Sequence, residues 1–154
     1  MTDSIRITFD TNLLVYAVIA DASPRHQIAR HLLARASGAN CVLVLQSLAE
    51  FVWVSTRKAR LSMAVATEAV EAWLEIFPVA HARPETLRTA LTAVARHRLS
   101  FWDAMLWAVA QEAGCRYLLS EDYQSGRTLG GVTFVDPFAP SGLPAAVEQA
   151  LARG

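Results

Sequence analysis

The sequence predicts an α/β protein with a mainly parallel sheet, because short apolar runs alternate with longer segments of helical periodicity along the chain. One run, residues 41–45, is apolar throughout, which is typical of a strand buried on both faces of a parallel sheet. Another run ends at Phe9 and is followed at once by Asp10 and a helical pattern, as at the carboxyl edge of such a sheet. A chain of 154 residues suits one domain and can bury about 70% of its unfolded surface.

Helix starts in the first half of the chain are marked by capping residues and by proline. Ser23 and Pro24 suit the N-cap and the first position of a helix, and Ser47 and Ser62 are candidate N-caps of two more helices. The helix that starts near Ser47 should end among the cations at residues 57–60, which suit a helix C-terminus. The predicted elements are a strand over 5–9, helices over about 11–20 and 24–37, a strand over 41–45, and helices over about 47–57 and 62–76.

The second half of the chain continues this alternation. Pro78 restricts a short strand over residues 77–80 to a sheet edge, because proline cannot donate a ladder hydrogen bond. Pro84 opens a helix to about residue 97, and Ser100 caps another that ends at Gly114. The remaining predicted elements are strands over 116–119 and 132–135, a loop marked by Gly126, Gly130 and Gly131 between them, and a small helix over about 145–152.

The composition is that of a compact globular protein, with 53% hydrophobic and 18% charged residues. We expect one domain over residues 1–138, followed by a Pro/Gly-rich linker and a short C-terminal helix or tail over residues 139–154. The N-terminus lacks the pattern of a signal peptide, and no apolar run approaches the roughly 18 residues of a membrane span. These features predict a cytoplasmic protein without a membrane partner. Cys41 and Cys115 each begin an apolar run, so we expect buried reduced thiols rather than zinc ligands.

The net charge is zero, with 14 basic and 14 acidic residues, which argues against unspecific nucleic-acid binding driven by charge alone. The cations are unevenly distributed by type, since all of the 14 basic residues except Lys58 are arginine. Arginine suits phosphate and carboxylate recognition better than lysine does, because its guanidinium presents donors in a planar fork. The sequence therefore excludes a strongly basic protein but leaves anion recognition open at individual positions.

Carboxylates occur where the predicted parallel strands end. Asp10 follows the first strand, Glu50 lies in the helix after the second strand, and Asp103 lies in the helix before the fourth. Glu121 and Asp122 follow the fourth strand. Each acid has an ordinary alternative explanation as a helix cap, a member of a capping box or a turn residue. If the acids share one rim, however, two charges about 5 Å apart repel by roughly 3 kcal/mol, and a cation should lie among them.

Carboxylate oxygens as ligands predict which cation would bind and which reaction it would support. Oxygen ligands favour Mg²⁺ or Mn²⁺ over zinc, and such an ion can activate water for hydrolysis of a phosphodiester bond. A phosphoacceptor receiver domain is a weaker alternative because it needs a lysine after the last strand, whereas Lys58 follows a helix. A haloacid-dehalogenase-type phosphatase would need an aspartate where this chain has Asn12.

Four segments of the chain resemble the motifs of PIN domains, most closely those of VapC-type toxins from bacterial toxin–antitoxin pairs. These segments are residues 9–16, 46–51, 100–104 and 118–122. The resemblance covers about residues 5–138 and implies a single PIN-like domain, with a five-stranded, mainly parallel sheet in the order 3-2-1-4-5. The acids that it implies as catalytic residues and metal ligands are Asp10, Glu50, Asp103 and Asp122.

The resemblance also implies roles for the neighbours of these acids. Thr11, Asn12 and Ser120 would orient ligands and water. Glu121 is an extra carboxylate that could share or replace the role of Asp122. The candidate contacts to RNA phosphates are Arg57, Lys58, Arg60, Arg96 and Arg98, each of which is also explained as a solvated helix end.

The implied function is that of an Mg²⁺-dependent endoribonuclease, with Mn²⁺ as a substitute, that acts as the toxin of a toxin–antitoxin pair. The implied partners are an RNA substrate, a second copy of the chain in a homodimer, and a small antitoxin whose apolar segment blocks the metal site. Trp53 and Arg57 are consistent with an antitoxin groove, since they lie on the same helical face as Glu50. The alternative is a PIN-like domain without catalysis that only binds other proteins.

Overall fold

The computed structural model describes residues 4–152, which form an α/β domain with helices on both faces of a mainly parallel sheet. This confirms the predicted fold class. The elements run in the order β1 (Ile7–Phe9), α1 (Thr11–Val18), α2 (Arg25–Ala36), β2 (Leu43–Val44), α3 (Leu45–Arg57), α4 (Met63–Ile76), β3 (Val79–Ala80), α5 (Pro84–His97), α6 (Phe101–Glu112), β4 (Tyr117–Leu119), β5 (Thr128–Leu129), β6 (Val132–Val135) and α7 (Ala145–Ala152).

The strand pairings place β1 between the two halves of the sheet. β1 pairs with β4 and β4 pairs with β6, in both cases parallel, while β2 pairs in parallel with β3. The two halves meet at a parallel bridge between Ile7 and Cys41, and the Val42 amide donates to the Ile7 carbonyl oxygen at 3.1 Å. Nothing in these pairings conflicts with the order expected from the resemblance, in which β6 takes the fifth place.

The hairpin of β5 and β6 is an addition to the predicted sheet. β5 pairs antiparallel with β6, in a segment for which the sequence predicted only a loop. The turn consists of Gly130 and Gly131, whose φ angles of 54° and 82° lie in the left-handed region that glycine adopts without strain. At Gly130 a side chain would also collide with Gln111 and Trp107 of α6. Gly130 is therefore required by both the turn and the packing, and Gly131 by the turn alone.

Apolar side chains cover both faces of the sheet. Leu119 and Val135 belong to a core cluster with residues of α1, α2, α3, α4 and α7. Leu118 and Phe134 belong to a second cluster with residues of α5 and α6, since successive strand residues point to opposite faces. All four of these strand side chains are buried. The two layers hold the carboxyl edge of the sheet, where each parallel strand passes into a loop or helix.

Helix starts agree with the capping predictions in some places and not in others. Ser62 and Ser100 each accept a hydrogen bond from the amide three residues on, as N-caps do. The prediction for Ser47 is wrong, because α3 begins at Leu45 and its N-cap, Val44, makes no side-chain capping bond. Ser47 is instead buried on the inner face of α3.

The C-terminal helix packs onto the domain. Val147 and Leu151 of α7 are buried in the first core cluster, and the Glu148 carboxylate accepts a bond from Arg35 of α2 at 2.7 Å. The helix lies where the sequence placed it, while a domain boundary at residue 138 stays a prediction. Cys41 and Cys115 are free and buried, as predicted. Within residues 4–152, no helix is long and apolar enough to cross a membrane.

Candidate functional site

Asp10 is a buried carboxylate at the end of the central strand. It is the N-cap of α1, where its Oδ1 accepts a hydrogen bond from the Thr11 amide at 2.6 Å. Its Oδ2 accepts a hydrogen bond from the Ser120 hydroxyl, just beyond β4, at 2.7 Å. Burial raises the pKa of Asp10 to about 6, although these two hydrogen bonds lower it; the Asp122 and Asp103 charges raise it further. Asp10 therefore both caps α1 and places a buried carboxylate at the rim.

Asn12 and Ser120 connect Asp10 to Asp122. The Ser120 hydroxyl oxygen accepts from the Asp122 amide at 3.0 Å and from the Asn12 side-chain amide at 3.3 Å. The same Asn12 nitrogen donates to Oδ2 of Asp122 at 3.2 Å. The Oδ1 atom of Asn12 is buried and has no hydrogen-bond partner among the described residues. Two carboxylates and one unpartnered amide oxygen therefore lie around a single serine.

Glu50 reaches the same edge from α3. One of its oxygens accepts from the Thr11 hydroxyl at 3.1 Å, and the other accepts from the Gln46 side-chain amide at 2.9 Å. Gln46 also donates to the carbonyl oxygen of Trp102 at 3.2 Å, which joins α3 to the first turn of α6. Since α3 begins two residues before Ser47, Glu50 lies in the second turn of α3, where its carboxylate is held by Gln46 of the same helix and by Thr11 of α1.

Asp103 approaches from the first turn of α6, beside the capping residue Ser100. Burial raises the pKa of Asp103, and the Asp122 and Glu50 charges raise it further. Its carbonyl oxygen accepts a hydrogen bond from the Tyr123 hydroxyl at 2.7 Å. The pKa of Tyr123 is raised by burial and then by four carboxylate charges, those of Asp10, Asp103, Asp122 and Glu50. The structure thus brings all four predicted acids to one rim around this tyrosine.

Glu121 has a different environment from its neighbour Asp122. Its carboxylate accepts a hydrogen bond from the Tyr16 hydroxyl at 2.6 Å and forms an ion pair with Nε of Arg25 at 3.1 Å. The Arg25 guanidinium also lies over the rings of Tyr16 and Phe138, at 5.9 and 5.5 Å from their centroids. The hydrogen bond to Glu121 raises the pKa of Tyr16 to about 12. Glu121 therefore already has a cation.

The side chains on the rim offer the oxygen donors that a hard divalent cation prefers, though these donors do not converge on one position. Over the described part of the chain, no three His, Cys, Asp or Glu side chains lie close enough together to hold one ion. The available donors are nevertheless all oxygens, namely the four carboxylates and the unpartnered Oδ1 of Asn12. Magnesium and manganese prefer such donors. Binding of one ion by three or more of these carboxylates would therefore require their oxygens to come closer together.

Two cavities adjoin Asp122, and three of the five predicted RNA contacts line one or the other. The first, of about 380 Å³, is lined by Asp10, Glu121 and Lys58 among others. The second, of about 490 Å³, is lined by Asp103 and by cations from the end of α5 and the loop before β5, which are Arg96, Arg98 and Arg127. Arg57 and Arg60 line neither cavity. The Arg57 guanidinium lies 5.7 Å from the centroid of the Trp53 ring instead.

The PIN domain family matches residues 7–128 of the chain. The chain belongs to the PIN-domain family. That match spans β1 to the start of β5 and includes all four acids, so the rim described above is the carboxyl edge of a PIN-domain sheet. A comparison with curated proteins gives no significant match.

Solved structures share this fold at low sequence identity. VapC20 of Mycobacterium tuberculosis, a Sarcin-Ricin loop cleaving toxin, is 22% identical, with a TM-score of 0.61 over 73% of this chain and 86% of its own. A toxin–antitoxin complex from Klebsiella pneumoniae is 19% identical, with a TM-score of 0.63 over 86% of this chain and 98% of its own. PAE2754 of Pyrobaculum aerophilum is 18% identical, with a TM-score of 0.61 over 99% of this chain and 97% of its own. These likenesses extend the PIN-domain fold to most of the chain.

Three residues of the rim were not found by sequence reasoning. Gln46, Tyr123 and Arg127 carry contacts or charge there, yet each lies outside the acid pattern that the sequence made visible. Gln46 and Tyr123 had an available signal, because each is close in the chain to a predicted acid. Arg127 had none, since its position depends on the β5–β6 hairpin that the sequence did not predict.

Proposed function

We propose that this PIN domain is a divalent-metal-dependent endoribonuclease that uses Mg²⁺, or Mn²⁺ in its place, and acts as the toxin of a toxin–antitoxin pair. The proposal rests above all on one observation. Ser120 joins Asp10 to Asp122 by hydrogen bonds, and the Thr11 hydroxyl, next to Asp10, donates to Glu50. Tyr123, next to Asp122, donates to the Asp103 carbonyl oxygen, and none of the three ion pairs in residues 4–152 involves the four acids. Acids on one rim that form no ion pair with a cationic side chain are the arrangement that a metal-dependent phosphodiesterase needs.

The metal ligands in this proposal are Asp10, Glu50, Asp103 and Asp122. A bound divalent ion would supply a water of lowered pKa and would neutralise charge on the phosphoryl oxygens. The chain's own residues orient the ligands: Ser120 and Thr11 hold Asp10, and Asn12 holds Asp122. These neutral donors fix the carboxylates without cancelling their charge, which keeps them available to a cation.

The substrate and the protein partner are proposed from the structural relatives. VapC20 is a Sarcin-Ricin loop cleaving toxin, which supports RNA as the substrate class. The relative from Klebsiella pneumoniae is a toxin–antitoxin complex, which supports a small antitoxin as the partner. Since the net charge of this chain is zero, we expect it to choose RNA by shape or by a loop sequence more than by bulk charge. Uniform cleavage along unstructured RNA would contradict that expectation.

Exposed aromatic side chains beside the acids are candidate antitoxin contacts. Trp53 is 56% exposed and lies three residues beyond Glu50 on α3, and Trp102 is 62% exposed and directly precedes Asp103. Large exposed aromatic rings commonly mark protein-binding surfaces. An apolar antitoxin segment seated on them would lie next to the acids and could block access to them. We also propose a homodimer, which a measurement of the mass of the protein in solution would test.

The proposal can be tested with purified protein and a mixture of structured RNAs. Cleavage should require Mg²⁺ or Mn²⁺, stop in excess chelator, and be abolished by Asp10→Asn in protein that retains its circular dichroism spectrum. Glu121→Gln is a matched control, because it removes a carboxylate that already has a cation. Undiminished cleavage by the Asp10→Asn protein would overturn the mechanism.

One observation favours a second function, that of a protein-binding PIN domain without catalysis. No three of the acids in residues 4–152 are gathered closely enough to hold an ion, while the large aromatic side chains near them are exposed. On this alternative, the purified protein would bind its partner with the same affinity before and after Asp10→Asn and would cleave no RNA with either metal.

A further inference from the structure

The cavity on the α5 side of Asp122 combines acids of the proposed site with a concentration of positive charge. It has a volume of about 490 Å³ and is lined by Asp103, Asp122, Arg96, Arg98 and Arg127. The chain as a whole has no net charge, so three arginines in one cavity are a local feature. We call this cavity the arginine cleft.

The arginines of the cleft are not used to neutralise the neighbouring acids. The ion pairs of residues 4–152 involve Arg25, Arg35 and Arg83, and none involves an arginine of the cleft. Charge compensation of Asp103 and Asp122 would place guanidinium groups within about 4 Å of those carboxylates. Both signs of charge therefore line the cleft without contact, which leaves the guanidinium donors available for an anion that enters between them.

Arg127 is held in place by the backbone around it. Its Nη2 donates to the carbonyl oxygen of His97, at the C-terminus of α5, at 2.9 Å. Its amide donates to Gln124, and its carbonyl oxygen accepts from Phe134 of β6 at 2.9 Å. Guanidinium carries five N–H donors, and in the described residues only Nη2 of Arg127 has a partner. The side chain is thus oriented by one donor while the others remain free.

Arg98 enters the cleft from an unusual backbone conformation. It is the C-cap of α5 with φ 56° and ψ 37°, in the left-handed region where helices usually place glycine. A glycine there would remove the backbone strain but would also remove the charge. Arg98→Gly would therefore remove the guanidinium while leaving a residue that adopts this conformation without strain, which makes Arg98 the most informative residue to change.

We propose that the arginine cleft binds a backbone phosphate of the RNA strand adjacent to the phosphate that is cleaved, with Arg98 and Arg127 as positioning residues. This inference rests on the proposed nuclease function, because it orients the strand relative to Asp103 and Asp122. Planar guanidinium groups suit the paired oxygens of a phosphate, and contacts to phosphate fix the register of a strand rather than its sequence. The arginine cleft and the other cavity share Asp122 but no cationic side chain, since Lys58 lines only the other cavity.

The test measures binding of a labelled single-stranded RNA, in chelator so that no cleavage occurs, over a range of salt concentrations. Arg98→Gly and Arg127→Gln should each weaken binding by roughly 5- to 10-fold at low salt. Each should also reduce the slope of log affinity against log salt by about 0.7, the value for one phosphate contact on a single strand. Arg30→Gln is the matched control, because Arg30 is exposed on α2 and lies outside the cleft.

Two further variants separate binding from folding. Arg98→Gly relieves the left-handed backbone, so it should unfold at the same temperature as the wild type or a higher one while binding RNA more weakly. Arg127→Lys keeps the charge but not the planar fork, so it should restore the salt slope and only part of the affinity lost in Arg127→Gln. In cleavage assays with Mg²⁺, both cleft variants should raise KM more than they lower kcat, as expected of residues that bind the strand.

The outcomes distinguish this inference from the nuclease proposal. Affinities and salt slopes of Arg98→Gly and Arg127→Gln equal to those of Arg30→Gln would overturn the cleft while leaving cleavage by the wild type intact. Wild-type protein that cleaves RNA with Mg²⁺ but shows no RNA binding in chelator at low salt would overturn it as well. Weakened binding in the cleft variants, together with no cleavage by the wild type under any metal condition, would instead refute the nuclease and support an RNA-binding cleft.

Discussion

Asp10 and Glu121 are two acids at the carboxyl ends of neighbouring parallel strands, and the fold treats them in opposite ways. Glu121 receives a hydroxyl from Tyr16 and an ion pair from Arg25, so its charge is neutralised within the chain. Asp10 is 7% exposed and receives only an amide and a serine hydroxyl, while burial, and then the charges of Asp122 and Asp103, raise its pKa. Both acids line the same cavity, so the difference does not come from their distance along the sheet edge.

The comparison separates structural acids from the acids that we propose as metal ligands. A buried carboxylate without a cation costs free energy, and a fold keeps one only when something else in its function uses the charge. Glu121 instead joins α1 and α2 to the loop after β4. The carboxylate of its neighbour Asp122 accepts only from the Asn12 side-chain amide. Adjacent residues thus have different roles, Glu121 as a structural acid and Asp122 as a proposed metal ligand.

The largest expected effect comes from removing the carboxylate charge at one or the other of the adjacent positions 121 and 122. Asp122→Asn should reduce RNA cleavage by about 10²- to 10³-fold, because a group that stabilises developing charge typically contributes that factor. Glu121→Gln should change cleavage by no more than about 3-fold, since its charge is already neutralised. Initial rates at saturating Mg²⁺ measure both. Equal losses in the two variants would remove the distinction between the acids.

A second prediction concerns stability without metal. The pKa of Asp10 is raised to about 6, so the native state binds its proton more tightly than the unfolded state does. Wild-type stability should therefore fall relative to Asp10→Asn as pH rises from about 4 to about 6, reaching a difference of up to about 3 kcal/mol at neutral pH. Urea unfolding of both proteins in chelator at several pH values measures it. A difference that stays constant with pH would show that Asp10 ionises without cost.

A smaller effect is expected on the Glu121 side of the comparison. Tyr16→Phe removes the hydroxyl that donates to Glu121 at 2.6 Å but leaves the ring that packs on Phe138. The loss of one such hydrogen bond should lower the free energy of unfolding by about 1 kcal/mol, with little change in cleavage. Urea unfolding and initial rates together test this. A strong loss of cleavage at unchanged stability would place Tyr16 among the residues that act on substrate.

The fold was predictable because burial leaves a simple pattern in the sequence. The run over residues 41–45 is apolar throughout, as in a strand buried on both faces of a parallel sheet, and the strand that ends at Phe9 is followed at once by Asp10 and a helical pattern. The hairpin of β5 and β6 was missed although Gly130-Gly131 is a favourable two-residue turn, because three nearby glycines suggested an unstructured loop. The start of α3 was misplaced because Ser47 looked like a cap but is buried.

The positions of the acids were predictable, but their partners were not. Strand ends bring Asp10 and Asp122 to one rim, and the start of the helix before the fourth strand brings Asp103 there, as the topology of a parallel sheet requires. The ion pair between Glu121 and Arg25 joins residues 96 positions apart, and no local pattern encodes it. The same applies to Arg127, whose bond to His97 depends on the packing of the hairpin against α5. Chemistry at strand ends is therefore visible in the sequence, whereas charge compensation requires the structure.

The central claim is that the rim around Asp10 binds a divalent cation and the Glu121 cluster does not. Thermal unfolding with and without Mg²⁺ at pH 7.5 tests it directly, with no dependence on RNA. Wild-type protein and Glu121→Gln should both unfold at a temperature on the order of 5–10 °C higher when Mg²⁺ is about 100 times its dissociation constant. Asp10→Asn should show no Mg²⁺-dependent rise. A rise in Asp10→Asn equal to that of the wild type, or its loss in Glu121→Gln alone, would contradict the claim.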